Sequence, residues 1–175
     1  MKFHPSLVKS TFTSPMGPMT LAATDTGLAG VWFEGQRHHP DLTDCPVNDR
    51  HPALVLIKQQ LSDYFAGRRN HFDVALDING GTLFQQSVWR ALLKIPPGQT
   101  TSYGNIGRQI GNPAAVRAVG AAVGRNPVSI IVPCHRVLGA DGSLTGYAGG
   151  LDRKTALLKL ESSLERSGPA TSRTA

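Results

Sequence analysis

The spacing of apolar residues changes at Asn79-Gly80-Gly81, and this change constrains the fold more than any other feature of the chain. Before this segment, short apolar runs separated by turn residues are typical of strands. After it, apolar residues recur every third or fourth position, as in helices. We therefore predict an α+β protein with one domain at residues 1–79 and a second at residues 82–165. The tail at residues 166–175, rich in Ser, Thr and Gly, is expected to be disordered.

The first domain is expected to contain a hairpin, a helix and a further strand. Asp25-Thr26-Gly27 separates two apolar runs, Met19–Thr24 and Leu28–Phe33, which is typical of a β-hairpin. Pro52 is placed to begin a helix, because its missing N–H has no partner in a first turn. The alternation of apolar and polar residues from Phe72 to Ile78 predicts a half-buried strand.

The second domain carries the signals of a helix-turn-helix. Thr82 and Gln85 form a capping-box pattern at the start of its first helix. Ser102 is placed to cap a short second helix. Gly111-Asn112-Pro113 is a tight turn before a third helix from about Ala114 to Gly124. Two short helices joined by a glycine-containing turn predict a helix-turn-helix motif.

The third helix of this domain has an unusual exposed face. At 100° per residue its valines share the face that should be buried: Val116, Val119 and Val123. The opposite face carries three alanines and one arginine: Ala114, Ala118, Ala121 and Arg117. Because small side chains permit close approach, this face suits entry into a narrow DNA groove better than the reading of major-groove base edges. The alternative is a helix packed on a neighbouring helix, with Arg117 in a surface ion pair.

The charge balance and the cysteine content restrict the binding partners and the cellular compartment of the protein. Lys and Arg total 18 against 12 Asp and Glu, and the net charge of +6 suits a polyanion without demonstrating one. No apolar run approaches the roughly 20 residues of a membrane span. The first residues lack the apolar stretch of a secretion signal. Since Cys45 and Cys134 are the only cysteines, we expect a reducing compartment, the cytoplasm, and no membrane association.

Cys134 is the candidate nucleophile. It follows an apolar run, Ser129–Val132, which we predict to be a short buried strand ending at Pro133. A thiol reacts as its thiolate, and the positive charge of Arg136 should help to lower the pKa of the thiol. Because neighbouring side chains diverge, we expect His135 to reach the sulfur through one water rather than directly. The alternative is an inert core cysteine, which is the more common state of a lone buried thiol.

Glu161 is the candidate partner of His135. On the last helix it shares a face with Leu157 and Leu158, so its carboxylate should point into the core. A buried carboxylate needs a hydrogen-bonding or charged partner, and an imidazole is a suitable one.

Several motifs together resemble one family. Pro133-Cys134-His135-Arg136-Val137 matches the active-site motif of the O6-alkylguanine-DNA alkyltransferases, which are suicide DNA-repair proteins. Other segments resemble the family in order and spacing: 84–93, 102–104, 115–120, 125–127, 146–150 and 157–161. The short chain looks like the constitutive bacterial form. The resemblance implies an N-terminal ribonuclease-H-like α/β domain followed by a winged-helix-like helix-turn-helix domain.

The resemblance also implies a partner, double-stranded DNA that contains an alkylated guanine. The third helix would enter the minor groove along Ala114, Ala118 and Ala121, while Arg117 would fill the gap left by the extruded nucleotide. Tyr103 would crowd the 3′ phosphate of the target and donate a hydrogen bond to guanine N3. Its position on the apolar side of its helix is compatible with that role, because a tyrosine ring can pack while its hydroxyl stays wet.

The chemistry that the resemblance implies is transfer of the alkyl group to Cys134. A water held by His135 would accept the thiol proton, Glu161 would orient the imidazole, and Asn126 would brace the turn before Cys134. The alkyl pocket would be walled by residues of one strand and one loop: Val137, Tyr147, Ala148 and Gly149. Many relatives carry serine where this chain has Ala148, so a hydroxyl contact to the alkylated oxygen is absent here.

The expected function is direct-reversal DNA repair, with one irreversible transfer per molecule from O6-alkylguanine and with O4-alkylthymine as a second candidate substrate. We expect a monomer without cofactor or metal, since His38, His39, His51 and Cys45 fit no closed zinc site. One alternative is a non-catalytic alkyltransferase-like module that binds lesions, although such proteins lack the cysteine. Another is a thiol hydrolase, which would need direct contact between imidazole and sulfur and an oxyanion hole.

Overall fold

The structure, a computed structural model, describes residues 1–167. Its strands are β1 (Val8–Ser14), β2 (Gly17–Ala23), β3 (Leu28–Phe33), β4 (Thr101–Ser102) and β5 (Val137–Leu138). Its α-helices are α1 (Pro52–Phe65), α2 (Leu83–Leu92), α3 (Tyr103–Gln109), α4 (Val116–Gly124) and α5 (Leu151–Ser167), and a 3₁₀ turn spans Cys134–Arg136. Helix α5 therefore extends two residues into the predicted tail, whose remaining residues, 168–175, lie outside the described part of the chain.

The first domain is an antiparallel sheet of order β1-β2-β3 with α1 packed against β1 and β2. The predicted hairpin is confirmed, since Leu21 pairs with Val31 across β2 and β3. Pro52 is in the first turn of α1 as predicted, and the side chain of His51 accepts a hydrogen bond from the Ala53 N–H. Every residue of β3 is buried, so this strand forms the centre of the domain core.

The predicted strand from Phe72 to Ile78 was wrong. This segment is extended but forms only one bridge, between Leu28 and Leu76. The physical reason is that two segments share the free edge of β3. Leu28 pairs with residues 75–77, whereas Val31 further along β3 accepts and donates hydrogen bonds at residues 127–129. Each segment therefore has only a part of the β3 edge available, which is too short for a continuous ladder of β-sheet hydrogen bonds.

The short strand predicted at Ser129–Val132 was also wrong, because the chain turns there. Val128 makes the one bridge from this segment to β3, and the Val132 N–H then donates back to the Val128 carbonyl at 3.0 Å. Ile130 has a φ of 73°, which is rare for a β-branched residue. Such strain persists only where the surroundings enforce it. The turn leads directly into Pro133 and the 3₁₀ turn that begins at Cys134.

The second domain contains the predicted helix-turn-helix, formed by α3 and α4. The capping box of α2 is present, and the Trp89 indole N–H donates to the Ala122 carbonyl of α4 at 2.9 Å. Helix α4 begins at Val116 rather than at Ala114, since Ala114 still belongs to the turn after Pro113. The burial predicted for Val116 was wrong. Its side chain is 44% exposed in the first turn, and Ala122 is buried instead.

The two domains share one continuous hydrophobic core, which includes Phe33 and Leu61 of the first and Trp89 and Leu157 of the second. The small parallel sheet of β4 and β5 holds the Cys134 turn beside α3. No helix among residues 1–167 is long and apolar enough to cross a membrane.

Candidate active site

Cys134 lies at the start of the 3₁₀ turn and is 5% exposed. It nevertheless contacts a cavity of about 300 Å³, so its sulfur is buried without being sealed in the core. The cavity lies between α4, the loop at residues 146–148 and the segment that follows β3 in the first domain. Its other lining residues are Arg37, His38, Tyr103, Gly120, Ala121, Val123, Gly124, Arg125, Gly146, Tyr147 and Ala148. The inert core cysteine of the alternative interpretation would contact no such cavity.

Asn126 lies between the strained turn and the sulfur. Its side-chain amide donates to the Val132 carbonyl at 2.8 Å and to Cys134 Sγ at 3.1 Å. Its Oδ1 accepts the Val128 N–H at 3.0 Å. One buried side chain therefore bridges the ends of the turn and contacts the thiol.

His135 and Glu161 are both fully buried and face each other, as the helix pattern predicted. His135 Nε2 lies 2.7 Å from Glu161 Oε1. Because a carboxylate only accepts hydrogen bonds, Nε2 carries the imidazole proton and donates it. His135 Nδ1 is buried and has no hydrogen-bond partner within residues 1–167. An unpaired lone pair in a buried place is available to a water molecule.

Two partners of Glu161 were missed by the sequence interpretation. Arg136 donates from Nε to Oε2 at 2.9 Å and from Nη2 to Oε1 at 2.7 Å, a bidentate pair. The Tyr64 hydroxyl donates to Oε1 at 2.9 Å from helix α1. Arg136 was predicted only to add positive charge near Cys134. Tyr64 lies 97 residues away on an apolar helix face, which offers no signal of this contact.

The charges of this cluster are fixed by burial and pairing. Burial disfavours the charged form of Glu161, but hydrogen bonds from His135 and Arg136 outweigh it and lower the pKa to about 2. Burial lowers the pKa of His135 despite the carboxylate beside it. Because Arg136 already pairs with Glu161, an imidazolium would leave the buried cluster with a net positive charge. His135 is therefore a neutral base at neutral pH.

The thiol of Cys134 departs from the expectation that cations lower its pKa. Burial raises the pKa and outweighs the opposing effects of the Asn126 hydrogen bond and the Lys154 charge. Cys134 is accordingly a thiol in the resting protein. It must lose its proton as it reacts, and the free lone pair of His135 Nδ1 can receive that proton through water.

Lys154 is a second group that the sequence interpretation missed. Its ammonium group is fully buried and donates to the carbonyls of Val137 at 2.6 Å, Thr145 at 3.0 Å and Gly146 at 3.1 Å. Its spacing of seven residues before Glu161 places it on the same helix face, and that signal was available in the sequence. It holds β5 and the start of the cavity loop together.

The predicted pocket residues separate into two groups. Tyr147 and Ala148 line the cavity with Cys134. Val137 and Gly149 do not line it, since Val137 is buried in β5 and the Gly149 carbonyl faces α5, where Arg153 binds it.

Tyr103 lines the cavity and donates from its hydroxyl to the Thr145 carbonyl at 3.2 Å. Burial raises the pKa of Tyr103, so its hydroxyl remains protonated.

The alanine face of α4 is exposed, as the helical spacing predicted. The exposed residues are Ala114, Arg117, Ala118 and Ala121. Among residues 1–162, whose side chains the structure describes, none forms a hydrogen bond or an ion pair with the Arg117 side chain. The surface ion pair of the alternative interpretation is therefore not found there. This face borders the cavity, since Ala121 belongs to both.

The first domain contributes two side chains to the cavity, which the sequence interpretation did not foresee. Arg37 and His38 follow β3 and line the cavity together with Arg125. No group of three His, Cys, Asp or Glu side chains within the described residues is placed to hold a metal ion.

Fold and site together define a two-domain protein in which a buried cysteine, backed by an imidazole, a carboxylate and a guanidinium group, faces a cavity beside a helix-turn-helix. The ribonuclease-like domain of 6-O-methylguanine DNA methyltransferase matches residues 7–78, and the DNA-binding domain of the same family matches residues 83–163. The chain belongs to the 6-O-methylguanine DNA methyltransferase family.

Individual relatives match almost the whole chain. A methylated-DNA–protein-cysteine methyltransferase of Mycolicibacterium paratuberculosis is 50% identical over 161 residues, covering 92% of this chain and 94% of the relative. The structure of the Mycobacterium tuberculosis O6-methylguanine methyltransferase has 50% identity and a TM-score of 0.82, covering 94% and 96% of the two chains. The M. tuberculosis OGT in complex with DNA has 51% identity and a TM-score of 0.81, covering 91% and 94%.

Proposed function

We propose that this protein repairs DNA by transferring the alkyl group of O6-alkylguanine to Cys134, as a methylated-DNA–protein-cysteine methyltransferase that acts once. The observation that carries the proposal is the free Nδ1 lone pair of buried His135 beside a cysteine that faces a cavity. Relatives of about 50% identity bear the name of this activity, and one related structure contains DNA.

Binding would use the exposed face of α4 in the minor groove of double-stranded DNA. Alanines at this face permit close approach to the sugar-phosphate walls. Arg117, whose side chain has no partner among the described side chains of residues 1–162, would occupy the place of the extruded nucleotide. Extrusion is required because O6 of a stacked guanine cannot reach a buried sulfur. The net charge of +6 supports phosphate contacts and predicts binding that weakens with salt.

In the transfer step, a water on His135 Nδ1 accepts the Cys134 proton and passes one to the imidazole. The resulting imidazolium is stabilised by Glu161. The sulfur attacks the alkyl carbon, a carbon–sulfur bond forms, and the bond from that carbon to O6 breaks. The departing guanine carries negative charge. A hydrogen bond from the Tyr103 hydroxyl to N3, made in place of the one to the Thr145 carbonyl, would reduce that charge. A thioether remains on Cys134, and water cannot hydrolyse it, so each molecule acts once.

The site disfavours the two alternatives. A thiol hydrolase needs imidazole bound directly to sulfur, whereas His135 Nδ1 has no partner among the described residues and the sulfur is contacted by Asn126. A lesion-binding module without catalysis has no use for a cysteine at the cavity. We further propose that the protein works as a monomer in the cytoplasm, and that O4-alkylthymine is a second substrate.

The test is to incubate the protein with a duplex containing O6-methylguanine and to measure its mass. The expected result is one methyl group per molecule, located on the Cys134 peptide. Cys134→Ala should gain none, and Cys45→Ala, which removes the other cysteine, should react normally. Binding without a mass gain would indicate a lesion-binding module. Repeated turnover of an ester would indicate a hydrolase.

The pH dependence of transfer provides an independent test of the role of His135. Its pKa is lowered by burial, so the imidazole stays neutral as the pH falls through its ordinary value of 6.5. The rate of alkyl transfer should therefore persist through pH 6.5 and fall only at lower pH. Rates with the free base O6-benzylguanine measure this without a contribution from DNA binding. A midpoint at or above pH 6.5 would contradict the assignment of His135 as the buried neutral base.

A further inference from the structure

The loop at residues 145–150 forms one wall of the cavity and has no regular secondary structure, so the donors that bind its carbonyls determine its position. Lys154 binds its first two carbonyls. The Tyr147 carbonyl accepts the Gly150 N–H within the loop at 2.9 Å. The carbonyls of Ala148 and Gly149 are bound by groups that lead to the first domain. The Arg37 backbone N–H donates to the Ala148 carbonyl at 3.0 Å, and Arg153 Nη1 donates to the Gly149 carbonyl at 3.1 Å.

Arg153 connects this loop to the first domain at two further points. Its Nε donates to the Met16 carbonyl, in the turn between β1 and β2, at 3.1 Å. Its guanidinium carbon lies 4.5 Å from the centre of the Phe33 ring, at the end of β3. A planar guanidinium is suited to such a task, because its donors point in fixed directions while its face stacks on an aromatic ring.

The backbone permits these contacts through two glycines. Gly17 has a φ of 109°, and a Cβ added there would lie 3.3 Å from Arg153 Nη2. A Cβ added at Gly149 would lie 3.1 Å from the Phe33 ring and 2.8 Å from the Tyr147 ring. The loop, the Phe33 ring and the guanidinium are thus packed at close range.

The position of Arg153 on α5 is unfavourable for the helix itself. It lies in the first turn, where the helix dipole disfavours positive charge. Its contacts with the loop and the first domain compensate for that cost. Helix stability alone therefore does not explain an arginine at this place.

We propose that Arg153 is a positioning residue through which the first domain holds the cavity wall and thereby sets the width of the alkyl pocket. The proposal rests on the alkyl-transfer function proposed above. Tyr147 and Ala148, which line the cavity, directly precede Gly149, so release of the Gly149 carbonyl lets this wall move away from Cys134. A small methyl group depends on the wall to be held in line with the sulfur, whereas a benzyl group fills a wider pocket.

The test compares Arg153→Leu with the wild-type protein on two duplexes, one with O6-methylguanine and one with O6-benzylguanine. Loss of the hydrogen bonds from Arg153 to the Met16 and Gly149 carbonyls should slow methyl transfer about tenfold and benzyl transfer less than about threefold. Amide hydrogen exchange at residues 146–150 should become faster. Arg69→Leu is the matched control. Arg69 also donates to a carbonyl, that of His71, but lies outside the cavity, so the ratio of the two rates should not change.

Two results would overturn the role of Arg153: unchanged rates with both alkyl groups, or an equal fall in both that follows a lower melting temperature. If Arg153→Leu does not fold, Arg153→Lys is the variant to use. A lysine keeps the positive charge but cannot bind the Met16 and Gly149 carbonyls together, so it should shift the ratio of methyl to benzyl transfer rates in the same direction. If the wild-type protein itself transfers no alkyl group, the proposed function is wrong. If the wild-type protein transfers alkyl groups but Arg153→Leu leaves the ratio of the two rates unchanged, only the role of Arg153 is wrong.

Discussion

Replacement of Glu161 by glutamine should slow alkyl transfer to Cys134 about 100-fold. A glutamine cannot offer carboxylate oxygens to His135, Arg136 and Tyr64 together, so the imidazole loses both its orientation and the charge that stabilises its protonated form. Arg136 would become a buried cation without a counter-charge, which costs about 3 kcal/mol of folding free energy. Single-turnover kinetics would measure the first effect, and thermal or denaturant unfolding the second.

The control for this variant is Glu34→Gln, which makes the same chemical change on the surface of the first domain. The Glu34 carboxylate accepts a hydrogen bond from the Thr20 hydroxyl at 2.6 Å. Tyr64→Phe removes one of the hydrogen bonds to Glu161 while the arginine pair remains, so it should fold even if Glu161→Gln does not. DNA binding, followed by fluorescence anisotropy, should stay near the wild-type level in each folded variant. Normal transfer by folded Glu161→Gln would remove Glu161 from the mechanism.

Arg117→Ala should reduce repair of duplex DNA about 100-fold while it reduces reaction with free O6-benzylguanine less than about threefold. The side chain would stabilise the extruded state, whose unstacking and unpairing cost a few kcal/mol. A free base needs no extrusion, so Arg117 should not contribute to its reaction with Cys134. The measurement is the rate of thioether formation on each substrate under identical conditions.

Arg68→Ala is the control for this loss of charge, because Arg68 pairs with Asp63 at the end of α1 at 2.9 Å. It removes the same charge outside the helix-turn-helix and should leave both rates unchanged. An equal loss with duplex and free base in Arg117→Ala would show that Arg117 supports the cavity rather than nucleotide extrusion.

Local patterns were reliable where each element depends on residues close in the chain. The hairpin at Asp25-Thr26-Gly27, the start of α1 at Pro52 and the capping box at Thr82 are all present. The helical spacing also placed Glu161 in the core and Arg117 on the surface. These features depend on a few hydrogen bonds and on one repeat of 3.6 residues per turn, so the sequence contains the required information.

The errors concern competition between distant segments. Residues 72–78 have a strand pattern, but their ladder is cut short because residues 127–129 occupy the other part of the edge of β3. Val116 has the spacing of a core residue, but it lies in the first turn of α4, beyond the reach of the core. Nothing in either segment indicates which neighbour it will meet.

The sequence by itself determined the division into a first part with strands and a second part with helices, the family resemblance and the presence of Cys134, His135 and Glu161 in the second domain. The tertiary structure alone decided that Tyr64 and Arg136 complete the carboxylate cluster and that Arg153 ties the cavity wall to the first domain. It also decided that Cys134 rests as a thiol, because burial outweighs the nearby charges. The physical reason is that desolvation and long-range hydrogen bonds depend on every atom around a group, and chain neighbours supply only a few of those atoms.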